Sequence, residues 1–268
     1  MDSEQALHRI RTAGSISISP ELFEKIYLSP QNAVKGDLRK TFGNPTPLAL
    51  IGFLLVLQPL SCDLMGWRGA GGSGAAGIGT YFFFGGLLMV LGSLGEFLIG
   101  NTFPFVVFGS FGAFWLSFAA TLQPFYGAYA LYSDDPIGNP IGGLTTVGFN
   151  ASFGFFLVTM GLMCFVYLIL SLRTNVVFFL IFLTLVPAFG LLTGAYWQLA
   201  MPTPDMAFAT HLQVIAGGFC FVTCILGWWI FIAIMLAALD FPFQLPVGDL
   251  SQLIKGQSEK MKERDSAV

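Results

Sequence analysis

Six long apolar runs, separated by short segments of turn-forming residues, decide what this chain can fold into. Backbone polar groups inside hydrocarbon must be satisfied within the segment itself, so about 20 mostly apolar residues read as one membrane helix. The runs are Thr46 to Leu64, Gly77 to Ile99, Thr102 to Thr121, Phe149 to Leu172, Val176 to Tyr196 and His211 to Leu239. Between them stand Gly100-Asn101, Pro124, Asp134-Asp135-Pro136, Asn139-Pro140, Arg173-Thr174-Asn175 and Pro202-Thr203-Pro204-Asp205, all favourable turn chemistry. Charge obeys the same division: 11 charged residues lie in 1–40, 9 in 240–268, and only 7 in the 199 residues between. The predicted fold is an all-α membrane protein, a six-transmembrane-helix bundle.

Positively charged flanks stay on the cytoplasmic side, and an even number of spans puts both ends on one side. With both termini cytoplasmic, the inner segments carry eleven of the 12 Lys and Arg residues and the outer loops carry only Arg68. The chain therefore divides into a cytoplasmic N-terminal tail (1–44), a six-helix transport domain (45–240) and a cytoplasmic C-terminal tail (241–268). Both tails read as solvated, and Ser15, Ser17 and Ser19 in the first are possible phosphorylation sites. The tail carries no long apolar run, so the first span is expected to direct insertion.

Several chemistries are disfavoured. A net charge of -3 without a basic stripe argues against nucleic-acid binding. Gly69, Gly71 and Gly74 spell GxGxxG, but between two membrane helices and without a preceding strand the pattern reads as a flexible external loop. No GxxxxGK[ST] occurs, and no lysine lies between Lys40 and Lys255, so neither a nucleotide motor nor a Schiff-base cofactor is expected. Cys220 and Cys224 share a helix face, yet with no His or carboxylate beside them they read as packing residues, not a metal site. Asn150-Ala151-Ser152 is a glycosylation sequon by letter, but it reads better as the start of the fourth helix.

Glu96 is the one carboxylate clearly inside a span, and an embedded acid is a candidate for gating or proton coupling. It is four residues from Gly100-Asn101, close enough to reach water or Arg173. In the fifth span Pro187 cannot donate to the carbonyl of Leu183, and a freed carbonyl at that depth needs water, a side chain or a solute. Leu183 and Thr184 are therefore candidate cavity-wall residues. Gly190 and Gly194 give the same span a close-approach spacing. Phe108, Phe111, Trp115 and Phe118 recur at helical spacing in the third span, a pattern of packing. Ser110 and His211 suggest an intramembrane serine hydrolase, a remote alternative because their depths differ.

The first span opens on Asn44-Pro45-Thr46-Pro47-Leu48-Ala49-Leu50-Ile51-Gly52-Phe53, in which Asn can cap and proline is tolerated in the first turn. This segment resembles the NPAPLGLxGF signature of the acetate uptake transporter family, which includes fungal acetate or ammonia-export proteins and bacterial succinate-acetate permeases. The resemblance continues through Glu96, Gly100-Asn101-Thr102-Phe103 and Phe111-Gly112-Ala113-Phe114-Trp115, with Thr46 and Ala49 replacing Ala and Gly. It implies a homohexamer of six-helix protomers in membrane lipid, each moving acetate or related short monocarboxylates and requiring no cofactor. It also implies a hydrophobic constriction of Phe53, Phe111 and Leu183, where bacterial members commonly have Tyr at the position of Phe111. Ser110, Thr184 and Glu96 are the expected substrate-pathway residues. Proton coupling is compatible with this reading, and export of ammonia or ammonium is the alternative to it.

Overall fold

A computed structural model describes residues 41–250, and the serines proposed for phosphorylation lie outside the described residues. Six helices are long and apolar enough to span a membrane: α1 (Thr46–Leu64), α2 (Gly74–Leu98), α3 (Thr102–Leu122), α4 (Val147–Ser171), α5 (Val176–Leu199) and α6 (Met206–Ala238). Their order and number agree with the sequence reading. The largest boundary difference is at α6, which begins five residues earlier than His211. There Asp205 caps the helix by accepting from the Phe208 N–H at 2.9 Å, satisfying a donor that has no intrahelical partner.

Local chemistry explains the other starts. Asn44 Oδ1 accepts from the Thr46 N–H at 3.0 Å ahead of α1. Thr146 Oγ1 and Asn175 Oδ1 accept from Phe149 and Phe178 to begin α4 and α5. Gly100 takes a φ of 78°, the left-handed conformation that lets α2 turn directly into α3. Asn150 is buried and its amide donates to the carbonyls of Leu144 and Thr146, so the sequon is spent on holding the start of α4.

The helices close into a ring. α1 packs between α2 and α6, α5 between α4 and α6, and α2 against α3. Aromatic contacts bring α3 onto α4 and α5: Phe114 stacks on Phe156 at 5.7 Å and meets Phe189 edge-on at 5.7 Å. Close approach depends on small residues in α2. A Cβ at Gly92 would come within 2.6 Å of the Ala49 Cβ, and one at Gly95 within 2.5 Å of the Pro45 Cβ, so the proline-rich start of α1 rests directly on α2.

Three features differ from the sequence reading. The Tyr81–Leu88 part of α2 is a π-helix, and Gly85 within it lies under the Trp115 indole. The glycine-rich connection is not a loose loop: it forms the turns Trp67–Gly69 and Gly72–Gly77, and the Tyr81 hydroxyl donates to the Gly74 carbonyl at 2.7 Å. At the other end of the bundle, residues 241–250 dock rather than trail away. Val247 is buried, Asn175 bridges Asp249 in an antiparallel pair, and Trp229 Nε1 donates to the Pro246 carbonyl at 2.8 Å.

Candidate functional site

Three cavities lie between the helices of the ring and share walls in sequence. The first, about 140 Å³, lies near the α1–α2 connection and is walled by Leu60, Asp63, Gly72, Phe118, Tyr196 and Gln213, among others. The second, about 40 Å³, shares Leu60, Leu64, Phe114 and Leu192 with the first. The third, about 30 Å³, reaches Leu50, Val107 and Phe178 towards the opposite end. The second and third cavities have three residues in common: Phe53, Phe111 and Leu185. These form an apolar septum, in which the Phe53 and Phe111 rings meet edge to face with centroids 6.1 Å apart.

The structure thus brings Phe53 and Phe111 together, and the α5 residue beside them is Leu185, not Leu183. Leu183 is 44% exposed on the outer face of α5, whereas Leu185 is 3% exposed and points inward. With 3.6 residues per turn, positions two apart face nearly opposite directions. The buried face of α5 runs through Ile181, Phe182, Leu185, Ala188 and Phe189, and Leu183 falls outside it. Pro187 lies inside α5 without ending it, and Leu183, the residue whose carbonyl it leaves without an intrahelical donor, is on the exposed face of the helix.

Thr184 and Ser110 are also not in the walls of these cavities. Thr184 Oγ1 hydrogen-bonds Thr223 Oγ1 at 2.7 Å and approaches the Leu180 and Ile181 carbonyls, so it joins α5 to α6. Ser110 Oγ lies 3.0 Å from the Tyr167 hydroxyl and donates to the Val107 carbonyl at 2.9 Å. Tyr167, absent from the sequence reading, meets Phe182 edge-on at 5.5 Å, behind the wall of the third cavity. His211 is exposed, while Ser110 is taken up by Tyr167 and Val107; the structure does not assemble a Ser-His pair.

Glu96 is fully buried and does not reach water. Asn101 Nδ2 donates to its Oε2 at 2.6 Å, and the Thr46 hydroxyl donates to its Oε1. A buried carboxylate is tolerated when such charge-assisted bonds replace its hydration. The cluster ties the start of α1 to the end of α2 and the turn into α3. Thr46 stands one helical turn from Leu50, which walls the third cavity. Within the signature, Pro45 lies on Gly95, Pro47 is in the first turn, and Leu48 is exposed on the outer surface.

The model of the GPR1/FUN34/yaaH family matches residues 28–252, which include the whole described bundle. The chain belongs to the GPR1/FUN34/yaaH family. Among relatives, it is 46% identical to Protein alcS of Aspergillus fumigatus, over 89% of this chain and 86% of that protein. It is 32% identical to Acetate transporter protein patA of Aspergillus clavatus, over 79% and 80% of the two chains. The fold is similar to that of the bacterial acetate channel SatP, with a TM-score of 0.56, 24% identity, and coverage of 77% of this chain and 99% of that one. The family resemblance read from the signature and the six-helix membrane architecture both agree with these matches.

Proposed function

We propose that this protein carries acetate and related short monocarboxylates across a plasma membrane, along the line of three cavities. The observation that supports it is the septum of Phe53, Phe111 and Leu185 common to two of them. An ionised carboxylate faces an idealised cost on the order of 20 kcal/mol in hydrocarbon. A path that is wide at one end confines that cost to the dry stretch formed by the septum and the two small apolar cavities beside it. There a hydrophobic constriction gates by dewetting and excludes larger hydrated ions.

In this reading the α1–α2 connection is external and both termini are cytoplasmic, following the eleven-to-one distribution of Lys and Arg. Each protomer has its own path within a homohexamer surrounded by lipid. Glu96 acts at the cytoplasmic mouth, where protonation would weaken the bonds from Thr46 and Asn101 together and release the start of α1. Acetate is favoured over ammonium because the septum carries no acid, and a cation path is expected to line its narrow part with acidic groups.

The test is labelled acetate uptake into vesicles reconstituted with the purified protein, with and without an imposed pH gradient, beside ammonium flux in the same vesicles. Acetate uptake above protein-free vesicles is expected, enhanced by an inward proton gradient. Ammonium flux without acetate flux would refute the assignment.

A further inference from the structure

The third helix is held differently on its two sides. Along α2 the backbones pack closely: Ser93 Oγ donates to the Phe105 carbonyl at 2.7 Å, and a Cβ at Gly112 would come within 2.9 Å of the Val90 side chain. Towards α4 and α5 the backbones stay further apart, and aromatic rings span the space. Besides the Phe114 pairs, Phe118 meets Phe153 at 6.2 Å and Phe103 meets Phe182 at 6.5 Å. Apolar contact of this kind opposes separation of the helices but has little direction, so by itself it does not stop α3 from rolling about its axis.

One directional contact crosses that seam. Among the described residues, the Ser110–Tyr167 pair at 3.0 Å is the only hydrogen bond between α3 and either α4 or α5. Each hydroxyl has a single proton to give. Ser110 gives its own to the Val107 carbonyl at 2.9 Å, which makes Tyr167 the donor to Ser110 Oγ. Tyr167 is 7% exposed, and its ring is fixed edge-on by Phe103 at 6.0 Å and Phe182 at 5.5 Å. Neither Ser110 nor Tyr167 stands in the walls of the three cavities. Val107, Phe111 and Phe182 do, so the bond lies directly behind the wall of the third cavity.

We propose that Tyr167 is a positioning residue for the septum. Through Ser110 its hydroxyl fixes the roll of α3, and with it the seat of Phe111 against Phe53 and Leu185, which sets the size limit for the permeating monocarboxylate. Successive residues stand about 100° apart around a helix, so a bond that fixes Ser110 in rotation fixes Phe111 with it. The inference rests on the transport reading above and names what keeps its narrowest point in shape.

Tyr167→Phe keeps the ring contacts and removes the donor, and Ser110→Ala removes the acceptor. In vesicles reconstituted with the full-length protein, each variant is expected to raise the ratio of labelled lactate to labelled acetate uptake by a factor of about 2 to 10, the equilibrium worth of one net hydrogen bond. The double variant is expected to match the single ones, because either change already removes the contact, whereas independent effects would multiply. Should one variant fail to assemble, the other carries the test, since each removes a single oxygen. A purely structural role would lower the thermal midpoint and the uptake of both solutes together, with the ratio unmoved. An unmoved ratio in an assembled variant, or a double variant whose ratio is the product of the two changes, would overturn this inference, while normal wild-type acetate flux leaves the transport reading intact. Absence of wild-type acetate flux would overturn both.

Discussion

Shortening Leu185 should open the septum, whereas shortening Leu183 should do nothing to it. Leu185 is 3% exposed and stands in the walls of both small cavities, so Leu185→Ala joins spaces of about 40 and 30 Å³ into one lumen beside the Phe53–Phe111 pair. Full burial of a leucine side chain is worth about 1.5–3 kcal/mol, the scale of the resistance it offers to a solute that must displace it. At 1.4 kcal/mol per tenfold change, the barrier for a monocarboxylate too bulky for the native path should fall by a factor of roughly 10 to 100. Leu183 is 44% exposed on the outer face of α5, and Leu183→Ala should leave uptake within about twofold of wild type, as surface truncations generally have small effects. The assay is competition between labelled lactate and labelled acetate in vesicles matched for protein content, with size-exclusion profiles to confirm intact assemblies. Relaxed selectivity in Leu183→Ala with none in Leu185→Ala would refute the placement of the septum.

Thr46→Val keeps the shape of the side chain but removes the hydroxyl that donates to Glu96; leaving that buried carboxylate one donor short should cost about 1–3 kcal/mol, seen as a lower thermal midpoint in detergent. An unchanged midpoint would mean that the hydroxyl contributes nothing at this mouth. Tyr81→Phe removes the bond to the Gly74 carbonyl and should loosen the glycine-rich turns over the large cavity by about 0.5–1.5 kcal/mol. Faster proteolysis of the α1–α2 connection, with the helices intact by circular dichroism, is the expected result; equal cleavage rates would contradict it.

The sequence made the number, order and approximate limits of the helices legible because hydrocarbon imposes length and apolarity on every span. The ends were less legible where a cap, such as Asp205, rather than hydropathy sets the first turn. The signature at Asn44 to Phe53 led to one side of the septum, and Phe111 to another. The third side was missed because nearly every residue of α5 is apolar, so hydrophobicity cannot separate the face towards lipid from the face towards the cavities. Ile181, Phe182, Leu185, Ala188 and Phe189 do recur at helical spacing, whereas the carbonyl that Pro187 leaves free belongs to Leu183 on the other face. Of the two glycines spaced for close approach, Gly194 lies against Leu212 of α6, whereas a side chain at Gly190 would meet open space within the protomer. The buried partners of Glu96 were hidden because Thr46 and Asn101 come from opposite ends of a hairpin, and only packing brings them to one carboxylate.

The most direct test of the central claim is acetate flux through Leu185→Cys, made in a background with the native cysteines replaced. Flux is measured before and after a small methanethiosulfonate reagent, with modification verified by mass spectrometry and reversed by a reductant. Modification at this position should abolish most of the flux and reduction should restore it, while the same treatment of Leu183→Cys leaves flux unchanged. A fully modified Leu185→Cys protein that still conducts acetate at its original rate would show that the solute does not pass between Phe53, Phe111 and Leu185.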